Sequence, residues 1–207
     1  MRTTALAASA AILLGVGTAH AVTITETTDF ANSTGATSST DVGNLALGNN
    51  TISGTLSGEC VTDPAGQFGP FFCNVLNNQD DTQDSVRFAL APGLALTRAV
   101  LTVSSVAGPD GFRARGGVED LGRTNPDLGS IFSLDGPTDS VVLFEGLATQ
   151  SEFLTSVFGF TANEAGAFSL AYTFSFDVGP APVPVPAALP LLLGALGFGA
   201  VAQRRAG

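Results

Sequence analysis

FSLAYTFSFDV, residues 168 to 178, alternates large apolar side chains with small or polar ones along its whole length. A period of two residues is typical of a β-strand that buries one face and exposes the other. The stretch therefore predicts a long strand, and this strand decides the fold class because it needs other strands to cover its aromatic face.

Several shorter runs repeat this alternation or are rich in β-branched residues. They cover residues 52–56, 86–90, 99–106, 140–144 and 153–160, and residues 23–40 begin with a predicted edge strand followed by a solvated lead. Turn sequences separate them, namely Pro92-Gly93, Pro109-Asp110-Gly111 and Asp135-Gly136-Pro137. With no helical period in residues 22–178, the sequence predicts an all-β domain, an antiparallel β-sandwich or jelly-roll-like fold.

The N-terminus has the features of a secretory signal. Arg2 precedes an apolar run, and Ala19-His20-Ala21 has the small-x-small form of a signal-peptidase site. We predict that residues 1–21 are removed and that the exported protein starts at Val22. An N-terminal membrane helix is the alternative, but the apolar run is too short to span a bilayer.

The C-terminus carries a second targeting segment. Proline recurs at every second position from Pro180 to Pro186, which predicts an extended linker over residues 179–186. Residues 187–202 have no charge, and Arg204 and Arg205 follow. As a helix this segment is about 24 Å long, close to the thickness of a bilayer core. Residues 187–207 are thus predicted to insert in the inner membrane with the arginines on the cytoplasmic side.

This order of a proline box, a short apolar helix and terminal arginines resembles the PEP-CTERM class of bacterial sorting signals. The box Val183-Pro184-Val185-Pro186-Ala187 is similar to the VPLPA variant, with Val185 in place of leucine. The resemblance implies processing by exosortase near the box. It also implies release to the cell surface or extracellular matrix of a Gram-negative bacterium. A permanent membrane anchor is the alternative.

A second resemblance concerns the fold alone. Residues 80–178 are similar to pre-peptidase C-terminal β-sandwich domains, in which an Asp-rich lead precedes a strand such as DSVRFAL, residues 84–90. The last alternating strand after Ala165-Gly166 fits the same pattern.

The two cysteines, Cys60 and Cys73, are close in sequence within a chain that carries an export signal. In that setting they are predicted to form one disulfide. A catalytic cysteine is the alternative, but it requires a base that the sequence does not offer.

Several chemistries are missing from the exported part. His20, the only histidine, leaves with the signal, and the chain has no lysine and no tryptophan. A Ser-His-Asp or Cys-His arrangement and a histidine-ligated zinc site therefore cannot form, so we predict no catalytic residues, no enzymatic activity and no metal site other than the calcium candidates named below. Eighteen acidic residues leave a carboxylate-based glycoside hydrolase open, although the phenylalanines at alternating strand positions are predicted to lie in the core rather than to stack on sugars.

The charge balance and one polar cluster bear on partners. A net charge of −10 repels phosphate backbones, so nucleic acid is not a predicted partner. Asn and Asp are concentrated in residues 74–84, where Asp80, Asp81 and Asp84 are candidate Ca²⁺ ligands. A turn rich in Asn and Asp explains the same residues without a metal or other cofactor.

These features together predict an exported surface or extracellular-matrix protein with a structural or adhesive role and an association with exopolysaccharide. Its predicted partners are signal peptidase and exosortase, and its tail contacts the inner membrane transiently. A carbohydrate-binding module is the alternative, because a β-sandwich with a polar rim can bind glycans.

Overall fold

A computed structural model of the protein describes residues 21–31, 39–62, 71–73, 82–121 and 139–182. Most of the predicted signal, the sorting box, the apolar tail, and Asp80 and Asp81 lie outside the described residues. The described residues form the strands β1 (Thr23–Thr25), β2 (Thr40–Leu45), β3 (Gly48–Thr62), β4 (Phe71–Phe72), β5 (Gln83–Leu90), β6 (Leu94–Ala107), β7 (Arg113–Asp120), β8 (Asp139–Ala148), β9 (Glu152–Ala162) and β10 (Gly166–Pro180).

The strands form two sections of one large, mostly antiparallel sheet. The first section, called sheet A, has the order β1-β3-β10-β6-β8. The second, called sheet B, has β2-β5-β9-β7. Strand β4 joins the two, because it pairs with the last residues of β3 on one side and with β9 on the other.

Strand β10 lies in the middle of sheet A, between β3 and β6. Its inward side chains are all buried: Phe168, Leu170, Tyr172, Phe174, Phe176 and Val178. The alternation in the sequence predicted this burial, and the structure confirms it. The strand runs to Pro180, which pairs with Leu94 of β6, two residues beyond the domain end predicted at residue 178. Proline is tolerated there because it is at the end of the ladder.

Aromatic side chains from both sheets meet in the core. The Phe88 ring of β5 is 4.6 Å from the Phe176 ring of β10 and 5.3 Å from the Phe153 ring of β9, measured between centroids. At another point, the Phe112 and Phe168 rings stack at 4.8 Å. The two sheets are therefore packed face to face on phenylalanine, as in a sandwich.

The all-β fold predicted from sequence is confirmed, with two differences of detail. The pairs β1–β3 and β2–β5 are parallel, whereas the sequence predicted an antiparallel sandwich. Strands β2, β4 and β7 were not predicted. Strand β7 (RARGGVED) turns only alanine, glycine, valine and aspartate toward the core, so no run of large apolar residues marks it.

The predicted disulfide is present between Cys60, near the end of β3, and Cys73, directly after β4. Both cysteines are buried, and the Cys73 N–H donates to the Phe160 carbonyl of β9 at 3.0 Å. The bond thus lies where sheet A continues into sheet B. Structural disulfides persist outside the reducing cytoplasm, so this bond indicates an extracytoplasmic location.

No helix among the described residues has the length and apolar character needed to cross a membrane.

Candidate functional site

Asp84 is an acidic side chain on the core face of β5. It alternates in phase with Val86, Phe88 and Leu90, which are all buried, and only 1% of its own surface is exposed. A carboxylate in this position needs compensating partners because burial removes its water.

Tyr172 supplies one of these partners from the opposite sheet. Its hydroxyl donates to Asp84 Oδ2 at 2.6 Å, and the tyrosine itself is buried. The backbone position paired with Tyr172 on β3 is Gly54. A Cβ atom at Gly54 would lie 2.7 Å from Tyr172 Cζ and 2.8 Å from Glu26 Oε2, so only glycine leaves room for both side chains.

Glu26 follows β1 and is held by backbone donors. Its Oε1 accepts from the Phe30 N–H at 2.7 Å, and its Oε2 accepts from the Thr55 N–H at 2.9 Å. After Glu26 the chain leaves sheet A and reaches sheet B, where Ala31 forms a bridge with Ser85 of β5. Asp29 is exposed on this crossing segment.

Glu26, Asp29 and Asp84 form a cluster that we call the acidic trio. One carboxylate oxygen from each of the three lies within 4.8 Å of the others. Asp84 Oδ1 is buried and has no hydrogen-bond partner among the described residues. Burial raises the pKa of Asp84 to about 7; the Tyr172 hydrogen bond opposes this, and the charges of Glu26 and Asp29 add to it.

A groove of about 240 Å³ adjoins the acidic trio, since Glu26, Gly54 and Tyr172 are among its lining residues. The rest of its lining consists of small residues of sheet A, mostly with hydroxyl groups: Thr25, Ser53, Thr55, Ser104, Ala171 and Thr173. The Ser53 and Thr173 hydroxyls are 2.9 Å apart across the β3–β10 pair. The groove can therefore offer hydrogen bonds to water, ions or polar ligands.

A second feature lies on the outer face of sheet B and is called the aromatic patch. It consists of Phe72, Phe158, Phe160 and Arg115, all half-buried. Phe160 makes edge-to-face contacts with Phe72 and with Phe158, each at 6.3 Å, and the Arg115 guanidinium carbon is 4.4 Å from its centroid. Burial lowers the pKa of Arg115. The alternating phenylalanines were predicted to lie in the core, but Phe158 and Phe160 alternate with the buried Val157 and Gly159 and face outward.

Of the three predicted calcium ligands, Asp84 is among the described residues, and it belongs to the acidic trio. Asp84 belongs to a core strand rather than to a loop, and Asp80 and Asp81 lie outside the described residues. Glu26 and Asp29 were not predicted as site residues, because they lie in the segment predicted as edge strand and lead. The sequence did contain one sign of the site. Asp84 is in phase with Val86 and Phe88, which places an acid on the predicted core face, where it needs a partner.

No family model matches the chain, and no curated protein matches it. Among solved structures, the chain is similar to Aeromonas hydrophila PliG, a periplasmic lysozyme inhibitor of g-type lysozyme. The match has a TM-score of 0.26 and 13% sequence identity, and it covers 77% of this chain and 98% of that chain. At this TM-score we draw no conclusion from the likeness.

Proposed function

We propose that this chain is an exported surface or extracellular-matrix protein, sorted through its C-terminal tail by exosortase, with a structural or adhesive role. The observation that carries the proposal is the buried disulfide Cys60–Cys73, which fits a protein that folds outside the cytoplasm. It agrees with the predicted signal and the box at residues 183–187, which on their own are sequence features.

The start of the described fold supports the predicted cleavage after Ala21. The Val22 N–H donates to Asn50 Oδ1 at 2.9 Å, and the Val22 carbonyl accepts from the Thr51 N–H at 2.9 Å. The residue that would become the new N-terminus is therefore bound to β3. Cleavage there would leave the sheet intact and place an amino group beside a carbonyl acceptor.

A passive role, rather than an enzymatic one, is part of the proposal. The carboxyl group with the most perturbed environment among the described residues is Asp84, and its exposed fraction of 1% keeps a bulky substrate away from it. General acid–base chemistry requires the proton-transferring group to reach the substrate. The properties of Asp84 are better suited to binding the two sheets together.

The test is the intact mass of the protein from the membrane and extracellular fractions of its native host, before and after reduction. We expect an extracellular species that starts at Val22, ends near Pro186 and gains about two mass units on reduction, because each disulfide takes up two hydrogens. A variant with Arg204→Ala and Arg205→Ala is expected to accumulate unprocessed in the membrane. An extracellular or membrane species that still ends at Gly207 would contradict exosortase processing.

A second candidate function is glycan binding by the aromatic patch. Half-exposed rings with an adjacent guanidinium offer an apolar surface and hydrogen-bond donors, and polysaccharides present both CH groups and hydroxyls. Affinity electrophoresis in gels that contain the host's exopolysaccharide tests this. Retardation that is lost in Phe158→Ala but kept in Val142→Ala, an exposed residue of β8, would favour it. Equal mobility in all gels would reject it.

A further inference from the structure

The acidic trio has the geometry and the unsatisfied charge of a cation site, and we propose that Glu26, Asp29 and Asp84 bind a divalent cation of the Ca²⁺ type that links the two sheets. This proposal goes beyond the proposed function, and neither depends on the other.

The distances within the acidic trio suit calcium. Ca²⁺ is bound by oxygen at about 2.3–2.6 Å, so two ligand oxygens on opposite sides of one ion are about 5 Å apart. The three carboxylate oxygens lie within 4.8 Å of one another, so a single ion between them would be within reach of all three. The ligands are hard oxygens, which favours Ca²⁺ over zinc or copper.

The missing hydrogen-bond partner of Asp84 Oδ1 is the observation that points to a ligand. This oxygen is buried and accepts no hydrogen bond from the described residues, although leaving a buried carboxylate oxygen without a partner destabilises the folded protein. The other oxygen, Oδ2, already accepts from Tyr172. A bound cation would give Oδ1 the partner that the described chain does not supply.

The charges around Asp84 also favour a cation. The charged groups that act on Asp84 are Glu26 and Asp29, and both are negative. Three carboxylates this close repel one another unless a proton or a metal ion neutralises them. Asp29 is exposed, so one side of the acidic trio is open to solvent, where water can complete the coordination shell and an ion can enter.

The position of the acidic trio gives the ion a structural effect. Glu26 is fixed to sheet A by the Thr55 N–H, whereas Asp84 belongs to β5 of sheet B. Asp29 lies on the segment that crosses between the sheets. An ion held by all three would stabilise the folded protein by mass action, because the unfolded chain has no such arrangement of ligands.

Terbium luminescence tests the proposal, because Tb³⁺ replaces Ca²⁺ at oxygen sites and is sensitised by a nearby aromatic ring. Tyr172 is the only tyrosine and the chain has no tryptophan, so tyrosine excitation reports on the surroundings of this residue alone. We expect Tb³⁺ emission on excitation of the purified protein, displaced by Ca²⁺. We also expect a midpoint of thermal unfolding that rises with Ca²⁺ and falls with EDTA.

Three variants assign the signal to the acidic trio. Asp84→Asn and Asp29→Asn are each expected to weaken Tb³⁺ binding at least tenfold, and the exposed Asp29 gives a variant whose core is unchanged. Glu145→Gln removes one charge from an exposed position on β8 and serves as the control, with unchanged binding. No emission together with no effect of Ca²⁺ on unfolding would overturn the proposal and leave a shared proton as the neutralising group. Binding that survives in Asp29→Asn and Asp84→Asn would also overturn it.

Discussion

Asn50 is buried at the connection between β2 and β3, and each polar atom of its side chain is hydrogen-bonded. Its Oδ1 accepts from the Val22 and Ala46 N–H groups at 2.9 and 3.1 Å. Its Nδ2 donates to the carbonyls of Ala46 and Gly48 at 2.8 and 3.1 Å. One side chain therefore fixes the predicted N-terminus of the exported protein and the short connection by which the chain passes from sheet B to sheet A.

We expect Asn50→Ala to lower the free energy of unfolding by about 2 kcal/mol, because it removes four part-buried hydrogen bonds between the Asn50 side chain and the backbone. Urea unfolding of the two proteins at neutral pH measures the difference. Asn49→Ala is the control, since Asn49 is exposed and its bond to Asp177 lies on the surface. If both variants unfolded at the same urea concentration, the prediction that the Asn50 hydrogen bonds stabilise the fold would be wrong.

Gly54 is expected to be intolerant of even one added methyl group. In Gly54→Ala the new Cβ would overlap the Tyr172 ring and the Glu26 carboxylate, at 2.7 Å from Cζ and 2.8 Å from Oε2. Overpacking of this kind costs about 1–3 kcal/mol. Gly117→Ala on β7 is the matched control, because a Cβ there meets nothing within 4 Å. Thermal unfolding of both variants gives the comparison, and equal midpoints would contradict the close packing around Gly54.

Asp84 is expected to make the stability of the metal-free protein depend on pH. Its pKa is raised from the ordinary value of 3.8 to about 7 in the folded state, so the folded protein holds this proton more tightly than the unfolded chain. Stability contributed by the protonated group is therefore greatest at low pH and is lost as pH rises from about 4 to 7. The loss is roughly 4 kcal/mol as an upper bound, and Glu26, Asp29 and Tyr172 are the groups that face Asp84.

Urea unfolding in EDTA at several pH values between 4 and 8 measures this dependence. The side chain in Asp84→Asn cannot titrate. The free energy of unfolding of the wild type is therefore expected to fall relative to that of the variant as pH rises. Glu145→Gln should keep the slope of the wild type. Parallel curves for wild type and Asp84→Asn would show that Asp84 has an ordinary pKa in the folded protein.

At the scale of the strands, the sequence predicted those whose inward residues are large. Strand β10 places phenylalanine, leucine and tyrosine on its core face, so its period of two is visible in the sequence. Strand β7 has the same burial alternation, but its inward residues are Ala114, Gly116, Val118 and Asp120. Hydrophobic patterning detects the size of the buried groups as well as their spacing, which is why β7 was missed.

The disulfide Cys60–Cys73 is predicted to stabilise the junction of β3 and β4. In the chain-entropy model, a bond that closes a loop of this size contributes about 3 kcal/mol. Replacing both cysteines by serine should lower the midpoint of urea unfolding, and a reducing agent should do the same to the wild type. The double variant is its own control for the reagent, because reduction should not affect it. A wild type that is insensitive to reduction in the unfolded state would contradict the bond.

At the scale of the whole molecule, the sequence could not predict the acidic trio. Its members come from two segments more than fifty positions apart, and they meet only because residues 26–31 cross from sheet A to β5. The pairing of β1 with β3 and the bridge between Ala31 and Ser85 set this crossing, and local patterns carry no information about which edge segment pairs with which neighbour. The alternating runs and turn sequences predicted the all-β class, whereas the site depends on how the two sheets are packed together.

The same packing predicts that the two sheets unfold together. Phe176 of sheet A touches Phe88 of sheet B, with ring centroids 4.6 Å apart, and both side chains are fully buried. Phe176→Ala should therefore cost about 3–5 kcal/mol, as for other large-to-small changes in a core. The loss should appear in both sheets at once, because β3 and β4 connect them covalently and through hydrogen bonds.

Two probes can follow this transition separately. Near-ultraviolet circular dichroism of Tyr172 reports on the contact between the sheets, and far-ultraviolet circular dichroism reports on all strands. Coincident transitions in wild type and in Phe176→Ala are expected for a single cooperative unit. Val142→Ala on the exposed side of β8 is the control and should change stability by no more than about 0.5 kcal/mol. If the tyrosine signal were lost well before the strands, sheets A and B would unfold as independent units, and the Phe88–Phe176 contact would not couple them.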